Sequence, residues 1–83
     1  MIRVLYFASL RERLDRTTEE IEGSAAGSVA ELLELLRARG GVWAEALGEG
    51  ETVLVARNQE MARPDTPLAD GDEIGLFPPV TGG

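Results

Sequence analysis

Ser28-Val29-Ala30-Glu31-Leu32-Leu33-Glu34-Leu35-Leu36-Arg37-Ala38-Arg39-Gly40-Gly41 is the stretch from which the fold is best read. Val29, Leu32, Leu33 and Leu36 recur at i, i+3, i+4 and i+7, so a helix from Val29 to about Arg39 carries one apolar stripe. Ser28 can accept from the N–H of Glu31 while Glu31 reaches back to Ser28, a capping box worth about 1 kcal/mol. Arg37 and Arg39 suit the negative helix end, and Gly40-Gly41 stops it. A helix with a single stripe needs one flat apolar partner, and one sheet is the simplest complement.

Working outward supplies that sheet. Residues 2–7 (Ile-Arg-Val-Leu-Tyr-Phe) are β-branched, aromatic and aliphatic without Gly or Pro, which suits a central strand covered on both faces. Ala8 to Arg16 reads as a connection with one helical turn at Leu10–Leu14, followed by a polar strand over Thr17–Ile21 and a loop over Gly23–Gly27. Beyond the helix come a short helical turn at Trp43–Leu47, a strand over Thr52–Arg57 and a tight turn at Asn58-Gln59. A short edge strand over Glu60–Arg63 is then stopped by Pro64. Asp70-Gly71-Asp72-Glu73 is turn chemistry leading into a last apolar strand, Ile74-Gly75-Leu76-Phe77. The expected class is α+β, with one main helix across one face of a mixed sheet of about five strands. The domain spans residues 1–77 and an extended tail spans 78–83.

Composition narrows the chemistry. At 83 residues the chain has room for one domain. It has no Cys and no His, which removes disulfides, the usual nucleophile–base pairs and the usual zinc, copper and iron ligands, so no metal site is expected. Asp70-Gly71-Asp72-Glu73 lacks the ligand spacing of a calcium loop. The net charge of −7 argues against nucleic acid and for a basic protein partner. After Arg63 there is no cation, so the C-terminal quarter projects a negative field. All eight cationic side chains are Arg, so there is no side-chain amine on which to build isopeptide polymers. The apolar N-terminal run is too short for a signal peptide or membrane span, giving the expectation of a cytoplasmic protein with no membrane association.

The tail is where chemistry can reside. Pro78-Pro79 removes two backbone donors directly after the last strand and drives the chain out of the sheet. The six residues Pro78, Pro79, Val80, Thr81, Gly82 and Gly83 span about 18–20 Å when extended, enough to carry a carboxylate into another protein's pocket. Gly82 and Gly83 have no Cβ, so a partner's backbone and a nucleotide can close around them. Gly-Gly alone reads as a frayed terminus; the Pro-Pro brake before it turns the reading toward a functional arm. A carboxylate is a poor electrophile, so reaction at Gly83 requires activation, as an acyl-adenylate made by an ATP-using enzyme, with no cofactor bound permanently to the domain itself.

In Val4-Leu5-Tyr6-Phe7-Ala8, Val29-Ala30-Glu31-Leu32-Leu33, Asp70-Gly71-Asp72-Glu73 and Phe77-Pro78-Pro79-Val80-Thr81-Gly82-Gly83 the chain resembles the small subunits of molybdopterin synthase, ubiquitin-like β-grasp proteins. The resemblance covers nearly the whole chain, and its ending is the most specific part. It implies that Gly83 is adenylated by a ubiquitin-activating-like adenylyltransferase and converted to a thiocarboxylate. The tail would then enter the synthase large subunit in a hetero-oligomer and donate sulfur to cyclic pyranopterin monophosphate, forming the molybdopterin dithiolene. On this implication the domain is the sulfur donor of an enzyme complex and no enzyme alone. A thiamine-type carrier, a tRNA-thiolation donor and a ubiquitin-like protein modifier use the same activated terminus and stay open as alternatives. The family commonly has a small apolar residue where this chain has Arg57, which reads as a surface change.

Strand parity assigns a docking face. With Ile74 and Leu76 under the helix, Gly75 and Phe77 point to the opposite side. Val4 and Tyr6 share the core side of strand one, with Leu5 and Phe7 outward. Phe7 and Phe77, with Met61, are therefore expected together on the uncovered face at the root of the tail, as a partner-binding patch. Trp43 reads as a core plug beside the helix end.

Overall fold

The structure, a computed structural model, describes residues 1–48 and 50–79. Its elements in chain order are β1 (Ile2–Tyr6), α1 (Ala8–Leu14), β2 (Thr18–Ile21), a 3-10 turn (Gly23–Ala25), α2 (Val29–Arg37), α3 (Val42–Ala46), β3 (Leu54–Arg57), β4 (Glu60–Met61) and β5 (Glu73–Phe77). The five strands lie in the order β2-β1-β5-β3-β4. The β1–β5 pair is parallel, and the β1–β2, β3–β5 and β3–β4 pairs are antiparallel. This is the mixed sheet expected.

The α2 stripe is buried as its spacing requires: Val29, Leu32 and Leu36 are enclosed, with Leu33 packed beside them. They meet Ile2, Val4 and Tyr6 of β1 and Ile74 and Leu76 of β5 in one core. The helix start has its orphan donors satisfied. Val29 N–H donates to Thr66 O, Ala30 N–H to Pro64 O and Glu31 N–H to Ser28 Oγ, at 3.0, 2.9 and 3.2 Å. The box differs from expectation in its return bond, because Glu31 Oε1 accepts from Gly27 N–H at 2.9 Å and not from Ser28.

Other departures have local causes. Helix α2 stops at Arg37, and the two arginines counted toward its dipole are engaged elsewhere. Arg37 Nη1 donates to Leu47 O at 3.1 Å, and Arg39 leaves the axis to pair with Glu19. The Ala8–Arg16 connection is a full helix, α1, whose Leu10 and Leu14 enter the core. No side chain caps it, so it carries no start signal in the sequence. Strand β1 alternates buried and exposed residues, so it is covered on one face only, not on both. Strands β3 and β4 are shorter than expected, beginning at Leu54 and ending at Met61. Asn58 and Gln59, at φ 50° and 71°, form the tight turn between them.

On the helix side of the sheet a polar cluster closes the β1–β2 end. The Glu19 carboxylate accepts from Arg39 through two nitrogens at 2.8 Å each, from Tyr6 Oη at 2.5 Å and from Arg16 at 3.4 Å. Partial burial pushes this carboxyl up, but the bonds from Arg39 and Tyr6 outweigh it and hold it below its ordinary range. Burial, and then the bond to Glu19, pushes the Tyr6 phenol up. Trp43 packs edge-on against Tyr6, with ring centroids 5.6 Å apart, under the Arg39 guanidinium at 4.4 Å. Trp43 is thus the half-buried plug expected beside the helix end.

Candidate functional site

Because Ile74 and Leu76 are drawn into the core, Gly75 and Phe77 face the side of the sheet that no helix covers. The register brings Ala56 of β3 opposite Gly75 and Leu54 opposite Phe77, with Met61 of β4 next to Ala56. From β1, Leu5 pairs with Gly75 on the same face, and Phe7 N–H donates to Leu76 O at 3.1 Å as the chain turns into α1.

Phe7 and Phe77 meet as expected. Their rings stack with centroids 4.5 Å apart and planes within 5° of parallel. The floor beneath them is Gly75: a Cβ there would stand 3.1 Å from Phe7 Cε2 and 3.1 Å from Phe77 Cε2. A residue without a side chain lets the edges of both stacked rings come this close to the strand. Phe7 remains 38% exposed and Met61 69% exposed, large values for apolar side chains.

Beside the stack runs an apolar groove of about 370 Å³, lined by Ala8, Leu54, Met61, Phe77, Pro78 and Pro79. The two prolines therefore do more than end β5. They form one wall of the groove at the point where the tail begins, with Pro79 exposed. The expectations for Val80, Thr81, Gly82 and Gly83 fall outside the described residues. Leu54 and Ala8 belong to the patch although the sequence did not single them out. Leu54 was recoverable from β3 parity once its pairing with Phe77 was known, whereas the position of Ala8, at φ 52°, follows from a turn with no sequence mark.

At the opposite end of β5 from the groove the Asp72 carboxylate is nearly enclosed. It accepts from Arg57 Nε and Ala69 N–H at 2.8 Å each and from Asn58 Nδ2 at 3.1 Å. Asn58 also closes onto Glu73, donating its N–H to Glu73 O at 2.8 Å and accepting from Glu73 N–H through Oδ1 at 2.9 Å. The bond from Arg57 outweighs the opposing effect of burial, and with those from Ala69 and Asn58 it holds the Asp72 carboxyl at about 2. One reading is corrected here: Arg57 is no bare surface change, because its bond to Asp72 ties the β3–β4 hairpin to the start of β5, while Asp70-Gly71 form the turn expected. Among the described residues, no group of three or more Asp or Glu side chains converges closely enough to hold a metal ion. Nor is any helix among them long and apolar enough to cross a membrane.

One helical layer over a mixed sheet, with Pro78 and Pro79 following the last central strand beside an apolar patch, defines the class: a ubiquitin-like β-grasp domain. The chain belongs to the ThiS family, which it matches over residues 4–83. It is 42% identical over 83 residues to the molybdopterin synthase sulfur carrier subunit of Escherichia coli (strain K12), covering 100% of both chains. Among solved structures it is similar to SAMP1 from Haloferax volcanii, with a TM-score of 0.78, 31% identity and coverage of 99% and 98% of the two chains. It is also similar to a chain in the protein–protein complex of subunits 1 and 2 of molybdopterin-converting factor from Helicobacter pylori 26695. That match has a TM-score of 0.68, 30% identity and coverage of 99% and 97%.

Proposed function

We infer that this chain is the sulfur-carrier subunit of a molybdopterin synthase. The observation that carries the reading is the proline-walled groove and phenylalanine stack at the root of a tail ending in Gly82-Gly83, in a chain that aligns end to end with curated sulfur carriers. With neither His nor Cys, the domain has little with which to catalyse the chemistry itself, and it serves as the cargo arm of enzymes on other chains.

The Gly83 carboxylate attacks the α-phosphorus of ATP in the active site of an adenylyltransferase, releasing pyrophosphate and forming an acyl-adenylate. A hydrosulfide equivalent from a sulfur donor displaces AMP, leaving a thiocarboxylate. The exposed Phe7–Phe77 patch and Met61 then dock on the synthase large subunit, and residues 78–83 thread toward its active site. The thiocarboxylate sulfur bonds to the pyranopterin substrate, and water then attacks the Gly83 carbonyl carbon and breaks its bond to that sulfur, leaving the sulfur on the pterin and returning Gly83 to a carboxylate. Pro78 and Pro79 restrict the arm before it binds, so less entropy is lost on threading. The likeness to a two-subunit complex supports a hetero-oligomer.

Deleting Gly83, or adding one residue after it, abolishes adenylation by the cognate activating enzyme and leaves thermal stability unchanged; retained adenylation overturns the reading. Intact mass measurement after incubation with that enzyme, ATP and a sulfur source gives the gain of one sulfur in place of one oxygen. Phe7→Ala or Phe77→Ala weakens binding to the large subunit by about 1–3 kcal/mol in titration calorimetry. The likeness to SAMP1 favours a second reading, as a protein modifier. Transfer of Gly83 to an amine of another protein, seen as a stable adduct in place of sulfur transfer, would establish it.

A further inference from the structure

The docking reading leaves unexplained how Met61 keeps its place. Strand β4 is two residues long and is bonded on one side only, to β3, so its pairing alone is too short to order a hairpin. Yet Met61 stands on the groove wall beside Leu54 and Phe77, and Ala62 N–H still donates to Val55 O at 2.8 Å. What anchors the hairpin is at its other end. Arg57 and Asn58, the last residue of β3 and the first of the turn, make four hydrogen bonds to Asp72 and Glu73. Asp72 is itself pinned by the Ala69 N–H.

We propose that the Arg57–Asn58–Asp72 clamp is a positioning device for docking: it fixes the β3–β4 hairpin against the start of β5 and thereby preorganises Met61 on the groove wall. The proposal rests on the reading of Met61 as a partner contact. Arg57 and Asp72 need not touch the partner; they act through the hairpin. Without the Arg57 bond, Asn58 is the one residue of the turn whose side chain still ties it to Asp72 and Glu73, the two-residue ladder frays, and the partner must order Met61 as it binds.

The test is a double-mutant cycle with the purified large subunit, using Arg57→Ala and Met61→Ala singly and together and reading affinity by calorimetry. Arg57→Ala lowers affinity about three- to tenfold in the parent chain and changes it by less than about twofold in the Met61→Ala background. Amide hydrogen exchange on the free protein accelerates at Ala62, whose bond closes the hairpin, and stays unchanged at Leu32 and Leu36 of α2. Should Arg57→Ala fail to fold, Asp72→Asn serves in the same cycle, since it keeps an acceptor for Ala69 while removing the charge that holds Arg57. If Met61→Ala leaves affinity unchanged, the docking reading of Met61 fails and the proposal fails with it. If Met61→Ala weakens binding and the clamp substitution weakens it equally in both backgrounds, docking through Met61 stands and the clamp proposal is overturned. It is also overturned if the clamp substitution leaves affinity at the parent value.

Discussion

Gly75 offers a way to separate the docking patch from the stability of the domain. A Cβ at this position would lie 3.1 Å from an edge carbon of each stacked ring and 3.3 Å from Phe77 Cζ, against about 3.5–4.0 Å for comfortable carbon contact. Gly75→Ala therefore asks both rings to shift by roughly half an ångström, which they can do because Phe7 is partly exposed and Phe77 borders the open groove. Gly75→Val adds two stiff methyl groups in the same space and forces the rings apart. Loss of the stack costs about 0.5–1.5 kcal/mol. Removing a strand glycine returns about 0.5–1 kcal/mol, so both variants stay within about 1 kcal/mol of the parent in stability. On the proposed docking role, affinity for the large subunit behaves differently, since a displaced aromatic pair no longer presents the same surface to it. It falls about two- to fivefold for Gly75→Ala and by about 1–3 kcal/mol for Gly75→Val. Thermal denaturation and calorimetry on the same samples make the comparison. A Gly75→Val protein that is folded and binds at parental affinity would refute the idea that the flat ring pair is recognised; one destabilised by several kcal/mol would refute the claim that the rings are free to move.

Ser28→Ala removes the acceptor for Glu31 N–H and costs about 1 kcal/mol, a Tm drop of about 4–8 °C for a domain of this size, read by calorimetric melting. Tyr6→Phe deletes the donor to Glu19 and destabilises by about 1–2 kcal/mol in a urea titration followed by Trp43 fluorescence. Asp72, whose carboxyl is depressed from 3.8 to about 2, contributes stability that is complete above pH 3.8 and is lost as pH falls toward about 2. Allowing for solvent around the part-exposed Arg57 guanidinium, that contribution is about 1–2 kcal/mol. Asp72→Asn should therefore flatten the acid limb of the stability profile between pH 4 and 2 and leave its shape between pH 5 and 8 unchanged.

The parts of the fold and site that were legible in the sequence are those encoded by period. The α2 stripe, the alternation along β5 and the resulting meeting of Phe7 with Phe77 all follow from the repeats of helix and strand. What was not legible depends on partners distant in the chain. Arg57 and Asp72 are 15 residues apart and Arg39 and Glu19 are 20 apart, so nothing local says that these charges are paired. Helix α1 was legible only as a single turn at Leu10–Leu14, because it begins at an uncapped Phe7. Leu54 could be assigned to the groove only once the β3–β5 register fixed which face it shares with Phe77.

The arm continues β5, which has a bonded neighbour on each side, β1 and β3. Ladder bonds run across the strand, so tension applied along the arm is carried in shear by both ladders together. Had the arm grown from β4, with its two paired residues and one neighbour, the same tension would unzip the ladder bond by bond. Under the proposed sulfur-carrier function, the domain behind the arm therefore stays intact as the arm is drawn into and out of a partner.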